Sequence, residues 1–286
     1  MSETATDFSD WIGRREEAED VATPSSVAGM IATLDRDDET PRKGDPVPPL
    51  WHWMYFAPRV RHSEIGPDGH PRRGDFMPPV PLPRRMFAGG RATFHRPIRI
   101  GDEVRREGEI TKVVRKEGRT GELVFVTVGY RIVTDRGLAI EEEHDIVYRD
   151  APPPGQQAAP QPAEKADTRD GDWWRTVAPD PVMLFRYSAL TFNGHRIHYD
   201  HPYVTGVEGY PGLIVHGPLI ATMLADLARD ESGRPLGRFA FRAKSPLFAT
   251  APFTVGGRLE ADGTTCTVAA IDAEGALAMT AEAKLA

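Results

Sequence analysis

The chain of 286 residues has a single cysteine, Cys266, so no internal disulfide can form, and it has neither a CxxC pair nor the Cys/His spacing of a zinc finger. One thiol fits a reducing compartment. No apolar run approaches the roughly 18 residues of a membrane span. The first twenty residues, MSETATDFSDWIGRREEAED, are polar and acidic where a signal peptide is basic and then apolar. A cytoplasmic protein with no membrane contact is expected. Positive charge is also in short supply: 35 Lys and Arg against 42 Asp and Glu give −7, which leaves no basic face for nucleic acid. Stretches free of helix breakers are scarce too. The 27 Gly and 26 Pro make up about 19% of the chain, which speaks against a long helical bundle yet stays below the low-complexity range.

What is present is an ordinary globular composition, 40% apolar and 27% charged, divided in two. Residues 151–172, APPPGQQAAPQPAEKADTRDGD, hold five prolines and few large apolar side chains, and such a stretch makes an extended linker rather than a core. The expected units are 1–150 and 173–286. Each ends in strand-length runs of β-branched and aromatic residues. RMFAGGRATFHRPI, EVRREGEITKVVRK, ELVFVTVGYRIVT and LAIEEEHDIVYR are separated by turn signals in the first half, and GRFAFRAKSPLF, FTVGGRLEA, TTCTVAAIDA and ALAMTAEAKL in the second. The halves align at an offset of 149, pairing Pro97 with Pro246, Ile98 with Leu247, Val104 with Phe253, Gly108 with Gly257 and Ile110 with Leu259. This is a weak repeat signal.

The halves differ in helices. GPLIATMLADLARD, 217–230, places Leu219, Ile220, Met223, Leu224, Leu227 and Ala228 at helical spacing behind Gly217 and Pro218, and leaves a narrow polar stripe of Thr222, Asp226 and Arg229. It is apolar enough to be wrapped by a curled sheet. The first half offers only TPSSVAGMIATLDRD, capped by Thr23, and no helix signal before its meander at residue 84. A central helix is missing there. The run Trp51–Phe56 is expected to pack as a core strand and could wall a pocket.

The densest polar segment is FRYSALTFNGHRIHYDH, Phe185 to His201. Ala189-Leu190-Thr191-Phe192-Asn193 through His198-Tyr199-Asp200, followed by Val215-His216-Gly217 at the head of the apolar helix, resembles the hydratase segment of the MaoC-like hot-dog dehydratases. PPLWHWMYF (48–56), GHPRRGDFMPPVPLPRRMFAGG (69–90) and FHRPIRIGD (94–102) resemble the FAS1-type dehydratase domain. The resemblance implies an α+β double hot-dog: two antiparallel sheets joined side by side, with the central helix retained in a catalytic C-terminal unit and an N-terminal unit that sets specificity. It implies reversible hydration of an enoyl-CoA, as in mesaconyl-C4-CoA and itaconyl-CoA hydratases, which yield citramalyl-CoA. Coenzyme A is then part of the substrate, no separate cofactor or metal is needed, and a homodimer is possible.

In the family pattern an Asp stands five positions before the catalytic His, within GD-x-N-P-x-H-x-D. Here His198 fills the second place, Asn193 the first, and His195 and Arg196 replace the usual Asn and Pro. Hydration needs a base for the attacking water, an acid for C2 and donors for the thioester oxygen. The resemblance assigns the first two tasks to His198. Asn193 can hold the water but transfers no proton, and the Gly217 N–H at a helix N-terminus suits the oxyanion. His216 and Asp200 are positioning candidates, and His195 either supports His198 or sits on the surface. Arg186, Arg196, Arg84, Arg85 and Arg91 are candidates for a substrate carboxylate or a CoA phosphate. Two other classes remain open. A thioesterase or non-catalytic acyl-CoA-binding module would share the fold. A metal hydrolase is suggested by His198-Tyr199-Asp200-His201, though the His expected two positions earlier is Arg196.

Overall fold

In the computed structural model, which describes residues 8–118, 121–150, 164–166 and 171–286, ten strands form one antiparallel sheet. They are β1 (Arg15–Val21), β2 (Arg84–Phe94), β3 (Glu103–Gly118), β4 (Gly121–Thr134), β5 (Gly137–Arg149), β6 (Trp173–Val177), β7 (Leu236–Ala243), β8 (Phe253–Leu259), β9 (Thr265–Ile271) and β10 (Leu277–Leu285). The order β1-β3-β4-β5-β2-β7-β10-β9-β8-β6 runs one five-strand pattern twice, reflected about the β2–β7 junction. The eight meander strands are those the sequence marks. The edge strands β1 and β6 are not marked, because REEAEDV and WWRTV carry no clean alternation and form by adding to an open edge. Ala18 of β1 opposes Arg106, and Arg175 of β6 opposes Val255. Positions 106 and 255 stand at the same 149-residue offset, so the two edge strands pair with equivalent stretches of β3 and β8. At the junction a Cβ on Gly89 would lie 2.6 Å from the Phe241 carbonyl oxygen, so only glycine lets the two halves pair this closely.

The described residues form four α-helices, α1 (Pro24–Thr33), α2 (Pro181–Thr191), α3 (His201–Gly206) and α4 (Gly217–Ser232); α4 packs on the sheet, and α1 and α2 pack on each other. α1 and α2 are built alike. Each follows an edge strand, is capped by a polar side chain (Thr23 to the Ser26 N–H at 3.3 Å, Asp180 to the Met183 N–H at 2.7 Å), and has proline in its first turn. α4 is the core helix, with Leu219, Leu224 and Leu227 all but fully buried among β7–β10. Each such leucine stabilises the fold by about 1.5–3 kcal/mol relative to exposure. Its polar stripe does not stay open. Thr222 and Asp226 are 1% and 2% exposed: Thr222 Oγ1–H donates to Pro218 O at 2.9 Å, while the turn at Trp51 and the side chain of Arg36 cover Asp226, Trp51 Nε1–H donating to it at 3.1 Å and Arg36 lying 3.6 Å away.

The N-terminal half has no such helix among the described residues; between 57 and 83 the only helical piece is the 3₁₀ turn His62–Glu64. Val80, Leu82 and Phe8 instead cover Ile110, Val126, Val128 and Tyr148. Arg73 ties this extended segment down, donating to the carbonyls of Val80 and Leu82 at 2.6 Å and of Pro83 at 2.9 Å, with its guanidinium over the Tyr148 ring. Trp51–Met54 is a buried 3₁₀ turn and not the expected strand, entered through Leu50 at φ 67°. The linker assigned to 151–172 lies mostly outside the described residues. Of it, residues 164–166 pair with the turn before β10, where the Leu277 N–H donates to Glu164 O at 2.8 Å. No helix among the described residues is long and apolar enough to cross a membrane.

Candidate active site

The site grows from the end of α2. Phe192 turns into the left-handed region (φ 51°), and the Asn193 N–H closes back on Ser188 O at 2.8 Å, which drops Asn193 into a cavity. A 3₁₀ turn, Arg196–His198, follows. His198 Nδ1 lies 2.7 Å from Ile214 O. A carbonyl only accepts, so Nδ1 carries the hydrogen and Nε2 presents a lone pair. Burial pushes the His198 pKa down to about 4, against the opposing effect of the Ile214 bond. At neutral pH it is an uncharged base in a 430 Å³ cavity.

His216, wholly buried, caps α4 and lies flat on His198, with ring centroids 3.7 Å apart. Its Nε2 is 2.8 Å from Ser188 Oγ. Burial holds its pKa well below the ordinary value. Gly217 is the first residue of α4, ahead of the first helical bond (Ile220 N–H to His216 O, 3.1 Å), and a Cβ there would meet only Phe87 at 3.8 Å. Gly217, at the positive end of a sixteen-residue helix, thus lines the same cavity as His198.

Asn193 is already engaged: its Oδ1 accepts the His195 N–H at 3.0 Å. His195 lines the same cavity, 5.5 Å from His198 and 4.2 Å from His70 between ring centroids. It therefore faces the cavity and not the open surface; burial, with His70 and His198 nearby, holds its pKa far below the ordinary value. Asp200 does not touch His198. It caps α3 through the Tyr203 N–H at 3.0 Å and holds the Arg196 guanidinium at 2.8–2.9 Å.

The arginines separate. Arg196 is committed to Asp200, to Pro67 O at 2.9 Å and to the Tyr203 ring, so it braces the loop. Arg186 donates to Ala32 O at 3.1 Å and ties α2 to α1, outside the cavity lining. Arg91 pairs with Glu143 and Asp145 in a separate acidic groove. Arg84 lines the cavity but is spent on Glu208 and the Tyr210 hydroxyl. Arg85 lines it without a carboxylate partner among the described residues. The metal-hydrolase signature is not assembled either: Asp200 serves Arg196, and His201 is exposed.

A second cavity of 810 Å³ shares His70, Phe87, His144, Asn193 and Pro218 with the first. Trp53, Tyr55 and Phe56 wall it, as the aromatic run at 51–56 allows, and its floor is polar. Glu142 there is reached by His52 and Trp53 at 3.0 Å and by His144 at 3.2 Å. Burial opposes its charge, but the two histidines outweigh that and keep it a carboxylate. Sequence reasoning passed over Asp68, His70, Glu142 and His144. His70 stood inside the quoted GHPRR motif, and period-2 alternation with Ile140 and Ile146 puts Glu142 and His144 on the inner face, but the run EEEH hides it.

Residues 50–249 match the family model for hydroxyacyl-thioester dehydratase type 2, and the chain belongs to that family of MaoC-like hot-dog proteins. It is 51% identical over 259 residues, 91% of each chain, to the mesaconyl-C(4)-CoA hydratase of Chloroflexus aurantiacus. A solved MaoC-like dehydratase superposes with a TM-score of 0.69 at 16% identity, over 96% of this chain and 98% of that one. A Mycobacterium tuberculosis protein described as a double hotdog fold gives 0.58 at 12% identity, over 96% of both chains. The expected fold, two hot-dog units in one sheet, is the one observed.

Proposed function

We propose that this chain is a hydro-lyase that reversibly hydrates a short, branched, carboxylated enoyl-CoA, of the kind of mesaconyl-C4-CoA or itaconyl-CoA, to citramalyl-CoA. The carrying observation is His198: its Nδ1–H is fixed on Ile214 O, and its free Nε2 faces a cavity beside the N-terminus of α4. Nε2 takes a proton from water as the oxygen attacks the β-carbon. The double-bond electrons move onto the thioester oxygen, where the Gly217 N–H and the helix dipole meet the developing charge. The proton on Nε2 then passes to the α-carbon, which leaves His198 neutral again. Asn193 steadies the loop of His195 and offers its amide hydrogens to the site.

In this reading the C-terminal half carries catalysis, and the N-terminal half, lacking its helix, gives room for the acyl group. Arg85 is the cation for a substrate carboxylate or a CoA phosphate. No cofactor beyond the CoA of the substrate is used, and the protein works in the cytoplasm, alone or as a homodimer. Kinetics on mesaconyl-C4-CoA, itaconyl-CoA and crotonyl-CoA side by side test the reading. Loss of enoyl-thioester absorbance without free thiol, with the carboxylated substrates preferred, is expected. Released thiol means hydrolysis, no change means a binding module, and a clear preference for crotonyl-CoA rejects the carboxylate.

A further inference from the structure

Water attacking a double bond needs two acceptors, one that takes a proton and one that holds the other hydrogen so that a lone pair aims at carbon. His198 Nε2 is the first. Asn193 Oδ1 already receives the His195 N–H at 3.0 Å, which fixes its direction and leaves it one lone pair. A further acceptor is available elsewhere in the cavity.

The loop 66–71 of the N-terminal half brings one. Gly66 and His70 close it (Gly66 N–H to His70 O, 2.7 Å), and Ile65 bridges Pro71. It is docked directly on the catalytic segment: the Arg196 N–H donates to Asp68 O at 2.9 Å, and Arg196 Nη1 to Pro67 O at 2.9 Å. The approach is so close that a Cβ on Gly69, at φ +91°, would fall 1.8 Å from Gly194 O. Two glycines in contact fix the height of this loop over the site. Within it, Asp68 Oδ1 accepts the His70 N–H at 3.1 Å and Oδ2 faces His70 Nδ1 at 3.2 Å. A carboxylate accepts, so His70 carries its hydrogen on Nδ1 and its lone pair on Nε2, the same tautomer as His198.

We propose that His70, held in this tautomer by Asp68, is a catalytic residue whose Nε2 accepts a hydrogen bond from the attacking water while His198 removes the other proton. His70 lines both cavities and stands where they meet, in contact with His195. No proton is transferred to it, so the charge balance of the reaction is unchanged. Burial lowers its pKa despite Asp68, which keeps the lone pair free at neutral pH. Thus the N-terminal half supplies, through space, the acceptor that the family's aspartate would give at position 193. This inference rests on the hydratase reading above.

The test is Asp68→Asn beside His70→Ala, measured on wild-type substrate with the full chain. An amide at position 68 can donate to Nδ1 and turn His70 to the other tautomer, removing the acceptor while keeping the loop. The expected result is a fall in kcat of about 10–100-fold with KM within about twofold and an unchanged melting temperature for Asp68→Asn. Imidazole ¹⁵N shifts should show the tautomer change at His70 alone. If Asp68→Asn flips the tautomer and kcat stays at the wild-type level, or if His70→Ala does so while folded, the proposal is wrong. Failure of the hydratase reading is distinct, since wild-type protein would then give no hydration at all.

Discussion

The imidazole of His198 lies against that of His216 with planes 20° from parallel and centroids 3.7 Å apart. Two positive rings cannot stack so closely in a buried site, so at most one can be charged, and the burial that lowers both pKa values keeps the resting pair neutral. His216 is in turn held by Ser188, in the last turn of α2. The stack thus connects α2, the Arg196–His198 turn and the head of α4.

Removing that support should disturb geometry more than binding. His216→Ala is expected to lower kcat by about 10–100-fold with little change in KM. Ser188→Ala should do the same more weakly. Steady-state kinetics check both, and a His216→Ala protein that is folded and fully active would contradict the positioning role.

Asn193 yields a graded pair. Asn193→Ala removes the acceptor of the His195 N–H and frees the loop, so a loss of about 10²-fold in kcat is expected. Asn193→Asp keeps that acceptor and loses the amide hydrogens, and its loss should be smaller. The order of the two kcat values is the check; a larger loss in Asn193→Asp would show that the donated hydrogen bond is essential.

The pH dependence follows from His198. In the proposed mechanism its working form is the neutral one, and with the pKa pushed down to about 4 that form is kept down to pH 5. The acid limb of kcat/KM should therefore fall near pH 4, not near the ordinary 6.5 of histidine. Stability moves in the same direction. A folded pKa below the unfolded one means the unfolded chain binds the proton better, so this contribution is fully present above about 6.5 and is lost as pH falls toward 4. A pH–rate profile with parallel melting curves measures both.

The eight central strands and α4 were legible because period-2 and period-3.6 patterns follow directly from burying one face. His198 and Asn193 stand out in the sequence because they sit in one contiguous motif, and the fold brings both to one cavity. The rest was hidden for physical reasons. β1 carries five charged residues in seven and forms by adding to the edge that β3 offers. Arg196 and Arg186 look available in sequence, yet the folded chain sets Asp200 and Ala32 O against them. His70 and Glu142 reach the site across more than fifty residues of chain, a proximity that only the joined sheet creates.

Asp226 offers a stability test away from chemistry. It is 2% exposed, and burial raises its pKa to about 6 although Arg229 and Arg36 oppose this. Asp226→Asn keeps an acceptor for the Trp51 indole and should leave the melting temperature nearly unchanged. Asp226→Leu strands that N–H and should cost about 1–3 kcal/mol, read by denaturant unfolding. An equal effect of the two would show that the Trp51 bond carries no weight.

The most direct measurement is the turnover of His198→Ala with mesaconyl-C4-CoA, alongside wild type and with binding measured separately. No other side chain in the segment has its Nδ1–H locked on a carbonyl and a free Nε2 beside the head of α4. A fall in kcat of at least ~10²–10⁴ with nearly unchanged affinity is predicted. A folded His198→Ala enzyme that retains near wild-type turnover would contradict the account.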